Sequence, residues 1–398
     1  WTKIYKKWDN FNIYIDASKV TGEQDQFCDY PYLVEDINVG DIIRIESGLF
    51  DVIVKEKQSD HVLVEAMHSI WIKQRRHINL PGMKLRMPWL IEQDKKDVLF
   101  AIENDFDFIA MSFVRNKANI QELRTILKEK NAENIQIISK IENQEAIDNL
   151  TEIVDESDWV MVARGDLWIE VPIEDLPIYQ RQIVKACGAR WKFVIVATHL
   201  LETMIENPFP TRAEVSDIFN AVQQKADALM LSGETTIGKY PIQAAEMMKS
   251  VIKKSESVRD YSKHDDFEAA WCTSRDIEKK YLIRSAIAIA ESSWLNAIVI
   301  FTKHGRLAKM AAAFKPNVRI FAITNNKKTF TNTTLLFGVT SRYLEYEDHS
   351  AVLEDALKKM IEAGDVAITD RVIVVTDFKK WDKEIPSLDI ITLQDLIG

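Results

Sequence analysis

A lysine and a glutamate stand two residues apart where an apolar run closes, in Ile138-Ser139-Lys140-Ile141-Glu142-Asn143. If the run is a strand, alternate side chains share a face, so Lys140 and Glu142 point the same way. Further on, Ala163-Arg164-Gly165-Asp166-Leu167 ends a second apolar run on a carboxylate, and Gly165 lets the backbone approach an anion. Two carboxylates at neighbouring strand ends suit a hard cation such as Mg²⁺ or Mn²⁺, which takes oxygen ligands and completes its shell with water and substrate. A lysine beside them suits phosphoryl transfer, which needs positioning and charge neutralisation more than covalent help. Taken alone, Lys140 and Glu142 can equally be an ordinary exposed ion pair.

These residues need elements that bring strand ends together. From Leu85 to about Ser257, brief apolar runs alternate with stretches of helical period: 108–113, 135–140, 160–163, 193–197 and 228–231. Buried parallel strands with crossover helices read this way. Each run leads into a residue with chemical potential: Arg115, Lys140 with Glu142, Asp166, Thr198 and Glu234. A β/α barrel gathers reactive groups at the C-terminal rim of its strands in this manner. At any one position the plain reading is an exposed polar residue after a strand; five in succession argue against it.

Two further regions flank this one. Residues 1–83 carry short alternating runs, such as 12–15, 41–45 and 61–65, and read as a small all-β lid domain beside the catalytic barrel of residues 84–257. Residues 258–398, with a helical stretch at 282–291 and apolar runs at 297–301, 319–323 and 372–376, read as a separate α/β domain with an open sheet, used in regulation or assembly. The fold class expected is therefore α/β: a TIM-type barrel of which five of the eight strands are visible here, a small inserted β-barrel domain and a C-terminal α/β domain.

Composition narrows the functional classes. A net charge of −10 over 398 residues argues against a nucleic-acid partner, which normally demands a concentrated basic surface. No apolar run is long enough to span a bilayer. The opening residues, Trp1 to Trp8, mix lysine with aromatics and lack the apolar core of a secretory signal, so a cytoplasmic protein is expected. Cys28, Cys187 and Cys272 form no CxxC pair and read as reduced thiols.

The blocks 111–115, 140–145, 161–167, Ala197-Thr198, Asn207-Pro208, Pro210 to Asp217 and 231–235 together resemble pyruvate kinase, over most of residues 79–250 and more weakly on either side. The resemblance implies that Glu142 and Asp166 bind the divalent metal that also holds phosphoenolpyruvate. It implies that Lys140 stabilises the moving phosphoryl group and the enolate left behind, and that Thr198 belongs to the site where that enolate is protonated. The backbone at Gly165 and Asp166 would cradle the substrate carboxylate. Phosphoenolpyruvate and ADP, giving pyruvate and ATP, are the substrates it implies, with Mg²⁺ and K⁺ as cofactors and a homotetramer as the assembly.

Other positions carry two readings. Thr211 and Glu214 suit a helix-capping box, which favours a structural role for Arg212, Glu214 and Asp217. Glu234 could hold a neighbouring cation or tie down a rim loop. Arg76 and His77, with Arg75, could meet nucleotide phosphates or form a solvated basic turn. Thr302, Lys303 and Arg306, about His304-Gly305, follow a strand and open a helix. There the resemblance implies an effector site, and the lack of further hydroxyls favours a plain loop.

The sequence also departs from the family it resembles. The likeness starts inside the small β domain, so the family's first three barrel strands, with a phosphoryl-gripping arginine and the K⁺ ligands, have no counterpart in it. Tryptophan stands where the family has glycine at 159, 168 and 191, and on the same comparison at 71 and 89. If the backbone at Trp168 needs positive φ, an indole there costs strain and blocks substrate space. The alternative to an active phosphotransferase is therefore a non-catalytic or impaired member that keeps the fold and binds metabolites or partner subunits.

Overall fold

The computed structural model describes residues 2–46, 48–73, 78–83, 86, 88–259, 274–345, 349–380 and 383–397. The N-terminal part contains β1 (Thr2–Tyr5), β2 (Asn10–Tyr14), β3 (Gln26–Phe27), α1 (Leu33–Asp36), β4 (Ile42–Ile45), β5 (Phe50–Lys57), β6 (His61–Ala66), β7 (Ile70–Lys73) and β8 (Ile78–Asn79). Six of these strands form one sheet in the order β3-β2-β6-β5-β4-β8, while β1 pairs antiparallel with β7. Strict alternation explains the burial: Val62, Val64 and Ala66 of β6 face inward with Phe50, Val52 and Val54 of β5. The rings of Tyr5, Phe11 and Phe50 meet at the centre of this core.

The middle region runs α2 (Glu92–Glu103), β9 (Phe108–Met111), α3 (Lys117–Glu129), β10 (Gln136–Ile141), α4 (Gln144–Asp148), α5 (Leu150–Glu156), β11 (Trp159–Ala163), α6 (Arg164–Glu170), α7 (Leu176–Ala189), β12 (Phe193–Ala197), α8 (Arg212–Gln223), β13 (Ala228–Met230), α9 (Gly233–Thr236) and α10 (Pro241–Glu256). Its strands pair in parallel in sequence order, as the alternation of apolar runs and helical stretches predicts. The register sets Ile141 beside Val162, and Ala163 beside Ala197, so the strand ends that carry chemistry are level.

Every residue of β11 and β12 is buried, because the sheet is covered on both faces. On one face Ile137, Val160, Val162, Val194 and Val196 pack on Ile120 and Leu123 of α3 and Ile183 of α7. Each such side chain, taken fully out of water, contributes on the order of 1.5–3 kcal/mol. On the other face Ile138, Trp159, Met161, Phe193 and Ile195 meet Ala308, Ala312 and Leu336 of the C-terminal region. Trp159, expected as an anomaly, is fully buried there, and its Nε1–H donates to Gln136 Oε1 at 3.1 Å.

That C-terminal region comprises α11 (Ser274–Ser292), β14 (Ala297–Phe301), α12 (Arg306–Ala313), β15 (Arg319–Thr324), α13 (Lys327–Thr333), β16 (Val339–Tyr343), α14 (His349–Glu362), β17 (Arg371–Lys380), β18 (Lys383–Thr392) and α15 (Leu393–Ile397). Its open sheet has the order β16-β15-β14-β17-β18, parallel except for the antiparallel β17–β18 pair. Besides that apolar contact, polar contacts hold it to the middle region. Thr331 Oγ1 donates to Asp107 Oδ1 at 2.7 Å, Lys328 Nζ donates to the Asp105 carbonyl at 2.6 Å, and the buried Lys315 pairs with the buried Asp227. Among the described residues no helix is long and apolar enough to cross a membrane.

Candidate active site

β10 stops at Ile141 because Asn143 caps the next helix, its side chain accepting from the Ala146 amide at 2.8 Å. Glu142 is left at the joint, fully buried. Its Oε2 accepts from the Phe113 amide at 2.6 Å, and its Oε1 pairs with Lys140 Nζ at 2.6 Å. The lysine also donates to Ser112 Oγ at 3.0 Å. Phe113 holds a left-handed backbone, φ 52°, which turns its N–H into the site.

Asp166 lies in the first turn of α6, where a carboxylate is favoured by the helix dipole. Burial pushes the Glu142 carboxyl above its usual range; Lys140 and the Phe113 amide oppose the shift, and the charge of Asp166 reinforces it. Two nearby carboxylates, one of them buried and raised, favour a cation between them. Glu142 Oε1 has no well-directed hydrogen-bond donor among the described residues. The donor set fits a small divalent ion with two protein oxygens and a remainder of water and substrate. No cluster of three or more histidine, cysteine or acidic residues suited to a metal occurs among the described residues.

Thr198 follows β12 with φ 67°, and His199 continues at φ 52°. A β-branched residue with positive φ is a true outlier, and such strain persists only when neighbours fix it. Arg164 supplies that fixing: buried, it donates from Nε to the carbonyls of Ala197 and Thr198, both at 3.2 Å, and from Nη1 to Asp217 Oδ2 at 2.6 Å. Thr198 Oγ1 in turn accepts from the Gly165 amide at 2.7 Å. A Cβ on Gly165 would stand 3.3 Å from that oxygen, so glycine permits the close approach.

The structure thus brings Lys140, Glu142, Gly165, Asp166 and Thr198 to one rim. Two residues that the sequence left with two readings make structural contacts. Glu234 is fully buried and accepts from the amides of Leu201 and Ser232, at 3.0 and 2.7 Å, so it ties down the rim loop. Glu214 completes the capping box with Thr211 and also accepts from the Thr203 amide at 2.8 Å.

The remaining expected positions are placed as follows. The Gly165 amide is engaged with Thr198 and is not free to face an anion. Trp168 does not have positive φ; it lies within α6, and its indole reaches toward Gly48 of the small domain, where a Cβ would come within 3.0 Å of the ring. Thr302 is buried at the end of β14 while Lys303 and Arg306 are exposed around Gly305, remote in sequence from the rim. Arg75, Arg76, His77 and Cys272 lie outside the described residues.

The small domain docks directly on α6. Asn79 Nδ2 donates to Glu170 Oε1 at 2.9 Å, and an Arg44 N–H donates to the Ile169 carbonyl. Sequence reasoning missed Arg164, Ser112 and Phe113 as site residues. A buried arginine beside the Gly-Asp pair was the available signal for the first; nothing in the residue types signalled the other two.

Comparison with known proteins finds relatives over most of the chain. The family described as pyruvate kinase, barrel domain, matches residues 4–245, and pyruvate kinase, alpha/beta domain, matches residues 280–384. The pyruvate kinase of Borreliella burgdorferi is 36% identical over 389 residues, 97% of this chain and 81% of that protein. That of Clostridium perfringens is 37% identical over 350 residues, 88% of this chain and 74% of its own length. That of Bacillus licheniformis is 36% identical over 373 residues, 91% of this chain, and the chain spans 62% of the length of that relative.

Proposed function

The chain belongs to the pyruvate kinase family, and from that premise we propose that it transfers a phosphoryl group from phosphoenolpyruvate to ADP, leaving pyruvate and ATP. The observation that carries the reading is the pairing of the half-buried Lys140 with the fully buried Glu142, with Asp166 close enough to act on the Glu142 carboxyl. In this reading Glu142 and Asp166 hold Mg²⁺ or Mn²⁺, and K⁺ is the companion cation that the family resemblance implies. When bound, the divalent ion supplies charge neutralisation at the phosphoryl oxygens.

The chain's own groups do the rest. The Lys140 ammonium, fixed by Glu142 and Ser112, faces charge that grows on the transferred oxygens and on the enolate oxygen as the bond to phosphorus breaks. The Thr198 hydroxyl, held by Gly165 and by its own donation to the Ala197 carbonyl at 2.7 Å, is read as part of the site where the enolate takes up its proton at carbon. The small domain, docked on α6, shields the rim from water as a lid. Arg76 and His77 are read as contacts to nucleotide phosphates, and Thr302, Lys303 and Arg306 as an effector loop. A cytoplasmic homotetramer follows from the same family reading.

The test couples pyruvate formation from phosphoenolpyruvate and ADP to a reporter, with Mg²⁺ and K⁺ present, and measures Mn²⁺ binding alongside. Turnover that disappears with Mn²⁺ binding in Glu142→Ala and in Asp166→Ala supports the assignment. Unaltered Mn²⁺ affinity in both variants sinks the metal site, and pyruvate formation absent from a folded, Mn²⁺-binding chain establishes the non-catalytic alternative.

A further inference from the structure

Three tryptophans occupy backbone that suits glycine. Trp8, φ 77°, is the third residue of the tight turn Lys6–Asp9, closed by the Asp9 amide on the Lys6 carbonyl at 3.0 Å. A turn with positive φ at that position is the type that selects glycine. Trp191, φ 54°, follows α7 and its terminal residue Arg190; the next amide, of Lys192, reaches back to the Cys187 carbonyl at 3.0 Å. Trp294, φ 53°, stands in the same way after α11, with the Leu295 amide on the Ala290 carbonyl at 2.8 Å. Both are Schellman helix ends, whose left-handed residue is usually glycine because any Cβ is disfavoured there.

The side chains gain little that would offset the strain at two of these positions. Trp8 is 63% exposed and Trp294 is 90% exposed. Of the eleven non-glycine residues with positive φ among those described, three are tryptophan, although tryptophan accounts for only 10 of 398 residues. Glycine numbers just 12, about half of what an average composition would give. Tryptophan is thus over-represented on backbone where glycine is the expected residue. Trp191 coincides with a position where the family resemblance already expects glycine, whereas Trp8 and Trp294 are picked out by the backbone alone.

We propose that Trp8, Trp191 and Trp294 are encoded by UGA, and that the cell which owns this gene reads that codon as glycine. UGA lies one base from the tryptophan codon UGG and one base from the glycine codon GGA, and its reading differs between genetic codes. Mutational drift would leave UGG at scattered positions without regard to φ. A reassigned codon places the substitution wherever glycine was selected, including strained turns. The same decoding at Trp168 would remove the indole that reaches Gly48 and open the seam between α6 and the small domain, beside Asp166.

Two measurements decide the matter, and neither depends on catalytic activity. The gene's nucleotide sequence should show UGA at all three codons. Peptide mass spectrometry of the chain isolated from its own cells should show glycine at 8, 191 and 294. UGG at these codons, or tryptophan in the isolated chain despite UGA, would overturn the proposal. As a physical control, W8G and W294G should each raise the melting temperature of the recombinant tryptophan form. A lower melting temperature in both would contradict the backbone argument on which the proposal stands.

Discussion

Arg164 donates its hydrogen bonds to the carbonyl of Thr198, and so holds in place a threonine whose φ of 67° it would otherwise leave. In the proposed reaction the arginine touches no reacting atom; it positions Thr198. Arg164→Lys keeps the charge but loses the planar fork that spans two carbonyls and Asp217. Turnover should fall by roughly a hundredfold, the scale of a small misplacement in a catalytic group. Mn²⁺ affinity should stay unchanged, because Glu142 and Asp166 are untouched. Loss of both together would mean that the residue supports the whole rim.

Lys140→Met tests charge at the phosphoryl group. The ammonium is expected to matter more in the transition state than in the ground state, so turnover should drop by about a hundredfold or more while the KM for phosphoenolpyruvate changes little. A rise in KM with unchanged turnover would make Lys140 a plain binding residue. Burial of Glu142 predicts a second effect: with its cation gone, the carboxyl should become harder still to ionise.

The rim loop after β12 should weaken in acid through Glu214. Burial alone would raise this carboxyl, but hydrogen bonds from Thr203 and Thr211 outweigh it and hold the group below its ordinary value of 4.5. A folded-state value below the unfolded one gives stability that is present above the unfolded value and lost as pH falls through the folded one. Melting temperature measured on acidification should therefore decline less in Glu214→Gln than in the parent. Thr211→Ala, which removes the cap hydroxyl together with its donation to Glu214, should cost about 1 kcal/mol at neutral pH by denaturant titration.

Cys187 is fully buried, and burial, reinforced by the charge of Asp227, pushes its thiol well above the ordinary range. The thiolate is the reactive form, so a soluble alkylating reagent at mildly alkaline pH should leave Cys187 unmodified in the native chain and modify it after unfolding. Peptide mapping reads the outcome. Rapid native modification would show that α7 opens far more readily than its packing suggests.

How much of this was legible beforehand depends on what each element buries. Phe193–Ala197 and Ala297–Phe301 were readable in place because a strand covered on both faces must be apolar throughout. β16 and β18 escaped notice because an edge strand mixes polar residues, as in Val339-Thr340-Ser341-Arg342-Tyr343. Lys140, Glu142 and Asp166 announced themselves through residue type. The left-handed turns at Phe113 and Thr198 did not, since nothing about phenylalanine or threonine signals positive φ. The commitment of the Gly165 amide to a hydroxyl thirty-three residues away is a tertiary fact that no local pattern contains.

Lys315 and Asp227 have side chains only 6% and 4% exposed, and they meet across the junction between the C-terminal region and the middle sheet. Asp227 also accepts from the Val194 amide at 2.9 Å, so the pair is anchored to β12. Separating the two regions without unfolding either would strip each charge of its partner, a loss costly enough to make the half-open state scarce. The two regions should accordingly melt as one cooperative unit, with a single calorimetric transition whose enthalpy matches the van't Hoff value. Lys315→Met, by removing the ion pair across the junction, should split that transition in two.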